Sequence, residues 1–523
     1  MSDATSCQWL RYLVGVLLAL ASAGCAGAPS EARPYFKIQV LDEQTHRGVP
    51  LVELRTVNQL CFCTDSNGVV AFQEPGLMGR PVWFGVRSHG YEFPKNGFGF
   101  AGVVLETRAG GSATINIRRI NIAERLYRIT GEGIYRDSVL TGEPAPIRQP
   151  LLNAQVAGQD SAIAAVYRDK IYWFWGDTSR PRHPLGHFRT AGATSGLPDR
   201  GGLDPAVGVD LNYFTDREGF SRPMCDVAGE GMVWIDGVAV VPDDDGRQRL
   251  VAHYARMKSL GEMLEHGLAI YDDRKERFEK ARHFDLTDQW RCPRGHPLRV
   301  RDGSEEYLVY PAPFPCVRVR ARLASVREPA DYEAFTCLVA GSRWDGLSSS
   351  IERSADGRCV WGWKAGTDPV DSARERELIA GGKIRPADAR FQLQDAETGE
   401  SVQLHGGSFN WNEYRRKWIL IGVQIFGASV LGEVWFAEAD EPTGPWRWAR
   451  KVLTHEQYSF YNPVHHAFFD QQGGRLIYFE GTYTTTFSGN PCPTPRYEYN
   501  QIMYRLDLAD PRLRLPQAQE QRR

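Results

Sequence analysis

The sequence predicts an all-β protein, a five-bladed β-propeller with an N-terminal β-sandwich, and three observations lead there. The chain has 52 Gly and 31 Pro among 14 Trp, 21 Tyr and 24 Phe, the mixture of turn formers and strand-favouring aromatics that many short strands require. A unit of strand, polar turn and aromatic strand recurs from about residue 150 to 510, which is the mark of radial repetition. Residues 36–120 instead read as short alternating strands around one strong hairpin turn.

Length and charge bound the reading. At roughly 150 residues per domain, 523 residues allow two or three domains, and a composition 42% hydrophobic and 24% charged can bury a substantial core. Lys and Arg number 62 against 64 Asp and Glu, a formal charge of −2. No basic field exists to release counterions from a nucleic acid, so no such partner is expected.

Residues 1–25 read as a signal peptide. Arg11 precedes the apolar run 12–21, too short to span a bilayer but right for an h-region. The run ends in Ser22-Ala23-Gly24-Cys25, which resembles a bacterial lipoprotein cleavage box and makes Cys25 the lipidated residue. Ala26 follows, with no Asp in that place, so an outer-membrane lipoprotein is expected, with a periplasmic or extracellular form as the alternative. The membrane is then met through the lipid anchor only, and the protein is expected to be a monomer.

The ten cysteines, at 7, 25, 61, 63, 225, 292, 316, 337, 359 and 492, contain no CxxC pair and no zinc-site spacing. In an exported chain the eight beyond Cys25 can form disulfides, with no connectivity legible. Cys61 and Cys63, two apart on a strand, point the same way.

The sandwich segment opens with VLDEQTHRGVP, carries the turn TDSNG with Asn67 and Gly68 where a hairpin needs positive φ, and later has HGY. These residues resemble the transthyretin-like, carboxypeptidase-regulatory-type sandwich, and the resemblance implies a spacer or packing partner. Residues 121–149 read as a linker and 511–523 as a tail. Between them, AIAAVYRDKIYWFWGDT, GMVWIDGVAVV with RLVAHYARM, PLRVRDGSEEYLVY, SFNWNEYRRKWILIGVQ and HHAFFDQQGGRLIYFEGTY supply the five blade signatures. An insertion at 345–403 interrupts them. There Ser372 and Glu375 form a capping-box pattern ahead of RELIA, and Gly381-Gly382 ends a short helix expected on a rim.

In a propeller the first strand of every blade runs beside the axis, so polar groups at its mouth converge from distant parts of the chain. Asp160, in GQDS, and Asp177, in WGDT, flank the first such strand pair. Two facing carboxylates are what glycoside hydrolysis needs, one to protonate the leaving oxygen and one to activate water or attack the sugar. Which of the two plays which part stays open. Glu230, Glu433 and Glu480 are further catalytic candidates that could separate the pair's pKa values. His253, Arg256 and His405 at blade mouths are candidates for binding sugar hydroxyls, and Trp175 and Tyr483 for stacking on rings. No HxH or HExxH spacing points to a metal, and no GxSxG, P-loop or GxGxxG motif points to a serine or nucleotide enzyme. No cofactor is expected.

The strings GQDSAIAAVYRDKIYWFWGDTS, GEVWFAEADEPTGPW and YNPVHHAFFDQQGGRLIYFEGTYT resemble the propeller family of the endo-D-arabinanases, relatives in architecture of arabinanase and levansucrase-type glycosidases. That resemblance implies glycan binding and hydrolysis through aspartates at positions matching Asp160 and Asp177. The insertion and the third blade fall outside it. The alternative is a surface glycan-binding lipoprotein that uses the same pocket without cleaving.

Overall fold

The computed structural model describes residues 34–187, 189–311 and 313–516. The signal-peptide and Cys25 expectations lie outside these residues. The described chain is all-β with few helices, and no described helix is long and apolar enough to cross a membrane.

Two four-stranded sheets form the N-terminal unit. One runs Val69–Phe72, Phe36–Asp42, Ser112–Arg119, Tyr91–Glu92, and the other Cys61–Cys63, Glu53–Thr56, Arg80–Arg87, Gly102–Thr107. Strict alternation along Phe36–Asp42 turns Phe36, Ile38 and Val40 inward, where they join Leu54, Phe72, Phe84, Ile115 and Ile117 in one apolar cluster. At the hairpin, Asp65 Oδ1 accepts the N–H of Asn67 (3.0 Å) and of Val69 (3.2 Å), while Gly68 takes φ 74°.

Five antiparallel meanders follow. The first is Ile163–Tyr167, Lys170–Trp175, Ala191–Gly196, Asn212–Tyr213 and the second Met232–Pro242, Gln248–Ser259, Glu262–Asp272, Arg277–Phe284. The third is Leu298–Asp302, Glu305–Pro311, Pro315–Arg320, Glu333–Thr336, and the fourth Leu404–Asn412, Lys417–Gln424, Val434–Ala439, Trp446–Leu453. Ser459–His465, Leu476–Thr484 and Asn500–Asp507 make the fifth, and its outer strand is Glu124–Arg128 from far upstream. One apolar cluster joins the first meander to the second, one runs through the second, third and fourth, one joins the fourth to the fifth, and one joins the fifth back to the first.

Several sequence expectations need correcting. The segment 121–149 is not a linker, because all five residues of Glu124–Arg128 are buried and pair antiparallel with Asn500–Asp507. ERLYR lacks the polar–apolar alternation of a half-exposed strand because neither of its faces meets water. Its charges are matched inside: Glu124 pairs with Arg505, and Arg128 lies 4.8 Å over the Tyr497 ring. The tail begins later than residue 511, since Leu513 is fully buried. In the insertion, Asp371 rather than Ser372 caps the helix Ser372–Ala380, accepting from Ala373 and Arg374 N–H. Glu375, read as the reciprocal cap, instead accepts from the N–H of Arg390 and Phe391 and ties the helix to the next strand. The insertion also adds Gly362–Ala365 to the outside of the third sheet, and Phe391–Asp395 with Ser401–Val402 to the outside of the fourth. The fifth blade signature starts one element late, its first strand being SFYNPVH. All eight described cysteines are free thiols.

Candidate active site

Gly158–Gln159 pairs antiparallel with Thr178–Arg180 through Gly158↔Ser179 and Gln159↔Thr178. Beyond that register Asp160 lies against both Gly176 and Asp177, two residues facing one as in a β-bulge, which keeps Asp160 and Asp177 neighbours across the strand pair. Backbone bonds hold the two in place, from Asp160 N to Asp177 O (3.3 Å) and from Gly176 N to Asp160 O (3.0 Å). A Cβ on Gly176 would overlap Asp160 Oδ1, so any larger residue there makes that carboxylate move.

The two carboxylates meet different partners. Asp160 Oδ2 accepts from the Tyr461 hydroxyl (3.1 Å), the nearby Tyr499 hydroxyl also favours the carboxylate, and Oδ1 is buried without a hydrogen-bond partner among the described residues. Burial, and then the Asp177 charge, push the Asp160 carboxyl up to about 7 despite those donors. Asp177 accepts the indole N–H of Trp234 at 2.8 Å, which partly offsets the upward push of its own burial.

Trp234 carries the site into the second sheet. Along Met232–Pro242, Val233 and Ile235 are buried while Met232, Trp234 and Asp236 are half-buried, so Trp234 and Asp236 share a face. Asp236 Oδ1 accepts from the N–H of Gly237 and of Gly295, both at 2.8 Å, and burial raises its carboxyl to about 6. From the fifth sheet, Asn462 donates to Ser161 Oγ (2.7 Å) and Thr482 Oγ1 accepts the Ser161 N–H (2.8 Å).

The other predicted site residues are dispersed. Glu230 is exposed, and its carbonyl accepts from Arg256, whose guanidinium also reaches Glu265 (3.2 Å). His405 is exposed within reach of the Arg294 charge. Glu433 is buried and braces a loop, accepting from Thr454 Oγ1 (3.1 Å) and Ser429 N (3.4 Å). Four candidates are core groups. His253 is buried with its Nε2 2.7 Å from the Tyr332 hydroxyl, and burial lowers its imidazole to about 3. Trp175 stacks on Trp173 with no exposed surface. Tyr483 stacks on Tyr458 at 4.0 Å, and its hydroxyl meets His89 of the N-terminal unit at 2.8 Å. Glu480 is fully buried 2.6 Å from His466 Nε2, beside the Trp173 and Phe468 rings that also contact His466. Burial pushes the Glu480 carboxyl upward and the His466 imidazole downward, and the pair is joined by the 2.6 Å hydrogen bond.

Asp236, Trp234, Tyr461, Tyr499 and Asn462 were missed by sequence reasoning. The one available signal was Asp236 itself, a carboxylate inside the apolar strand VWIDGVAVV.

No family model matches the chain, and no curated protein matches it in sequence. Solved structures similar to it include an exo-1,5-α-L-arabinanase from a bovine ruminal metagenomic library, 9% identical, over 68% of this chain and 94% of that one (TM-score 0.33). A thermostable family-43 glycoside hydrolase is 11% identical over 66% of this chain and 88% of its own (TM-score 0.31). An N-acetylgalactosamine deacetylase from F. plautii is 11% identical over 72% and 94% (TM-score 0.33). With scores this low, function is to be read from the site.

Proposed function

We propose that the protein is a glycoside hydrolase in which Asp160 and Asp177 act as the carboxylate pair. The observation that carries this is their closeness across one strand pair, with the Asp160 carboxyl pushed up to about 7 by burial and by the Asp177 charge. Asp160 then holds its proton near neutral pH and donates it to the leaving oxygen, while Asp177, held by the Trp234 indole, is the ionised partner that activates water or attacks the sugar. Asp236 supplies a third carboxylate on the same side of Trp234. The circular succession of apolar contacts supports five meanders closing as propeller blades, with Glu124–Arg128 sealing the last and the two N-terminal sheets packed outside as a sandwich. The three segments that resemble endo-D-arabinanases support an arabinan-type substrate, and residues 1–25 support export with a lipid on Cys25.

The test is release of reducing ends from arabinans, fructans and plant or marine polysaccharides by the wild-type protein and by Asp160→Asn and Asp177→Asn. On any polysaccharide that is cleaved, each variant should lose at least about 100-fold in turnover. Wild-type rates in both would move the chemistry elsewhere.

A further inference from the structure

Two large apolar side chains stand out in solvent on loops attached to Tyr461, the residue that holds Asp160. Phe487 is 52% exposed, and its ring meets Tyr461 edge-on at 5.9 Å. Phe426 is 75% exposed and follows Ile425, which packs on the small cluster of Val423, Leu431 and Tyr461. Both are in the left-handed region, Phe487 at φ 68° and Phe426 at φ 62°. For a bulky residue that conformation is strained, and it persists only where surrounding structure over-determines it. Ser161, Asn462 and Tyr499, which line the same site, are also left-handed.

The over-determination is visible in both loops. Glu498 pins the loop after Leu476–Thr484, accepting from Thr485 N (2.9 Å), Thr485 Oγ1 (2.8 Å), Thr484 Oγ1 and the Tyr458 hydroxyl (2.6 Å). Glu433 does the same after Lys417–Gln424: it accepts from Ser429 N and sits so close to Gly427 that a Cβ there would overlap its Oε2. Each phenyl ring thus stands on a loop that a carboxylate braces through its backbone or hydroxyl groups. Scattered exposed apolar residues need no explanation, but two backbone-strained rings on braced loops, one against Tyr461 and one following the Ile425 that packs on the Tyr461 cluster, do.

We propose that Phe487, with Phe426 on the loop whose Ile425 packs on the cluster of the same tyrosine, is a stacking platform for sugar rings of a polysaccharide whose scissile bond lies at Asp160. One face of a sugar ring presents C–H groups that match the electron-rich face of a phenyl ring, and a fixed platform binds without an ordering cost. Glu498 and Glu433 are positioning residues for these rings. The proposal rests on the glycosidase reading for its location and deepens it by naming an extended glycan as the ligand.

Native affinity electrophoresis in gels containing arabinan, inulin or galactan, run beside the reducing-end assay, tests it. Phe487→Ala should weaken retardation by the polysaccharide that retards the wild type about tenfold, the double variant with Phe426→Ala further, and Phe487→Trp should restore it. In the assay, Phe487→Ala should raise KM on polymer with little change in kcat. Unchanged thermal midpoints show that the exposed substitutions leave the fold intact. Cleavage with retardation indifferent to Phe487 and Phe426 overturns the platform and leaves the hydrolase standing. Phe487-dependent retardation without cleavage overturns the hydrolase and leaves the platform. Neither retardation nor cleavage on any polymer overturns both.

Discussion

Asp160 donates its backbone N–H to the carbonyl of Asp177 across 3.3 Å, and the Asp177 charge reaches the Asp160 carboxyl. Asp160 titrates near 7 in the folded chain against about 3.9 in the unfolded one. The native state therefore holds a proton that the unfolded state releases, and the stability this contributes is complete below pH 4 and lost as pH rises through 7. Asp160→Asn removes the titration. Its thermal midpoint relative to wild type should rise between pH 5 and pH 8, by the equivalent of about 1–3 kcal/mol. A difference independent of pH would show that Asp160 holds no shifted proton.

Gly176→Ala places a methyl group against Asp160 Oδ1. The carboxyl or the strand must shift, at a cost of about 1–3 kcal/mol. Activity on a cleaved glycan should fall by more than this stability loss explains, since a displacement of about 1 Å at a reacting group costs about 100-fold. Full activity per folded molecule would place Asp160 outside the chemistry.

Tyr461→Phe deletes a hydroxyl that favours the ionised form of Asp160. The pH–rate limb belonging to Asp160 should move to higher pH, with the fold retained because the ring still packs. A limb that stays in place would assign it to another group.

Glu480→Gln keeps a donor for His466 Nε2 and should leave stability within about 1 kcal/mol and activity near wild type. Glu480→Ala leaves the imidazole unpaired beside a cavity and should cost about 2–5 kcal/mol by chemical denaturation. If Glu480→Gln abolished turnover in a stable protein, Glu480 would belong to the reaction instead of the core.

The strand-turn-strand units were legible because each carries its own polar turn, which is local chemistry. Asp160 and Asp177 were legible for the same reason, lying on adjacent strands of one short stretch. Tyr461 was not, because it reaches Asp160 across 301 residues of chain. Tyr483, Trp175 and His253 were misplaced by one ambiguity: an aromatic or imidazole on a strand looks the same whether its face meets a pocket or the next sheet. Glu124–Arg128 was hidden by a charged composition that only its buried partners, Arg505 and Tyr497, make sense of.

The strand Glu124–Arg128 has a consequence for how the chain reaches its final form. Its only sheet neighbour among the described residues, Asn500–Asp507, lies hundreds of residues downstream and is synthesised long after it. Four meanders can assemble as they emerge, but this strand must wait with an unsatisfied edge until that partner arrives, a non-local closure of the kind that slows folding. A chain truncated before Asn500 therefore leaves Glu124–Arg128 with its buried charges and no sheet to join.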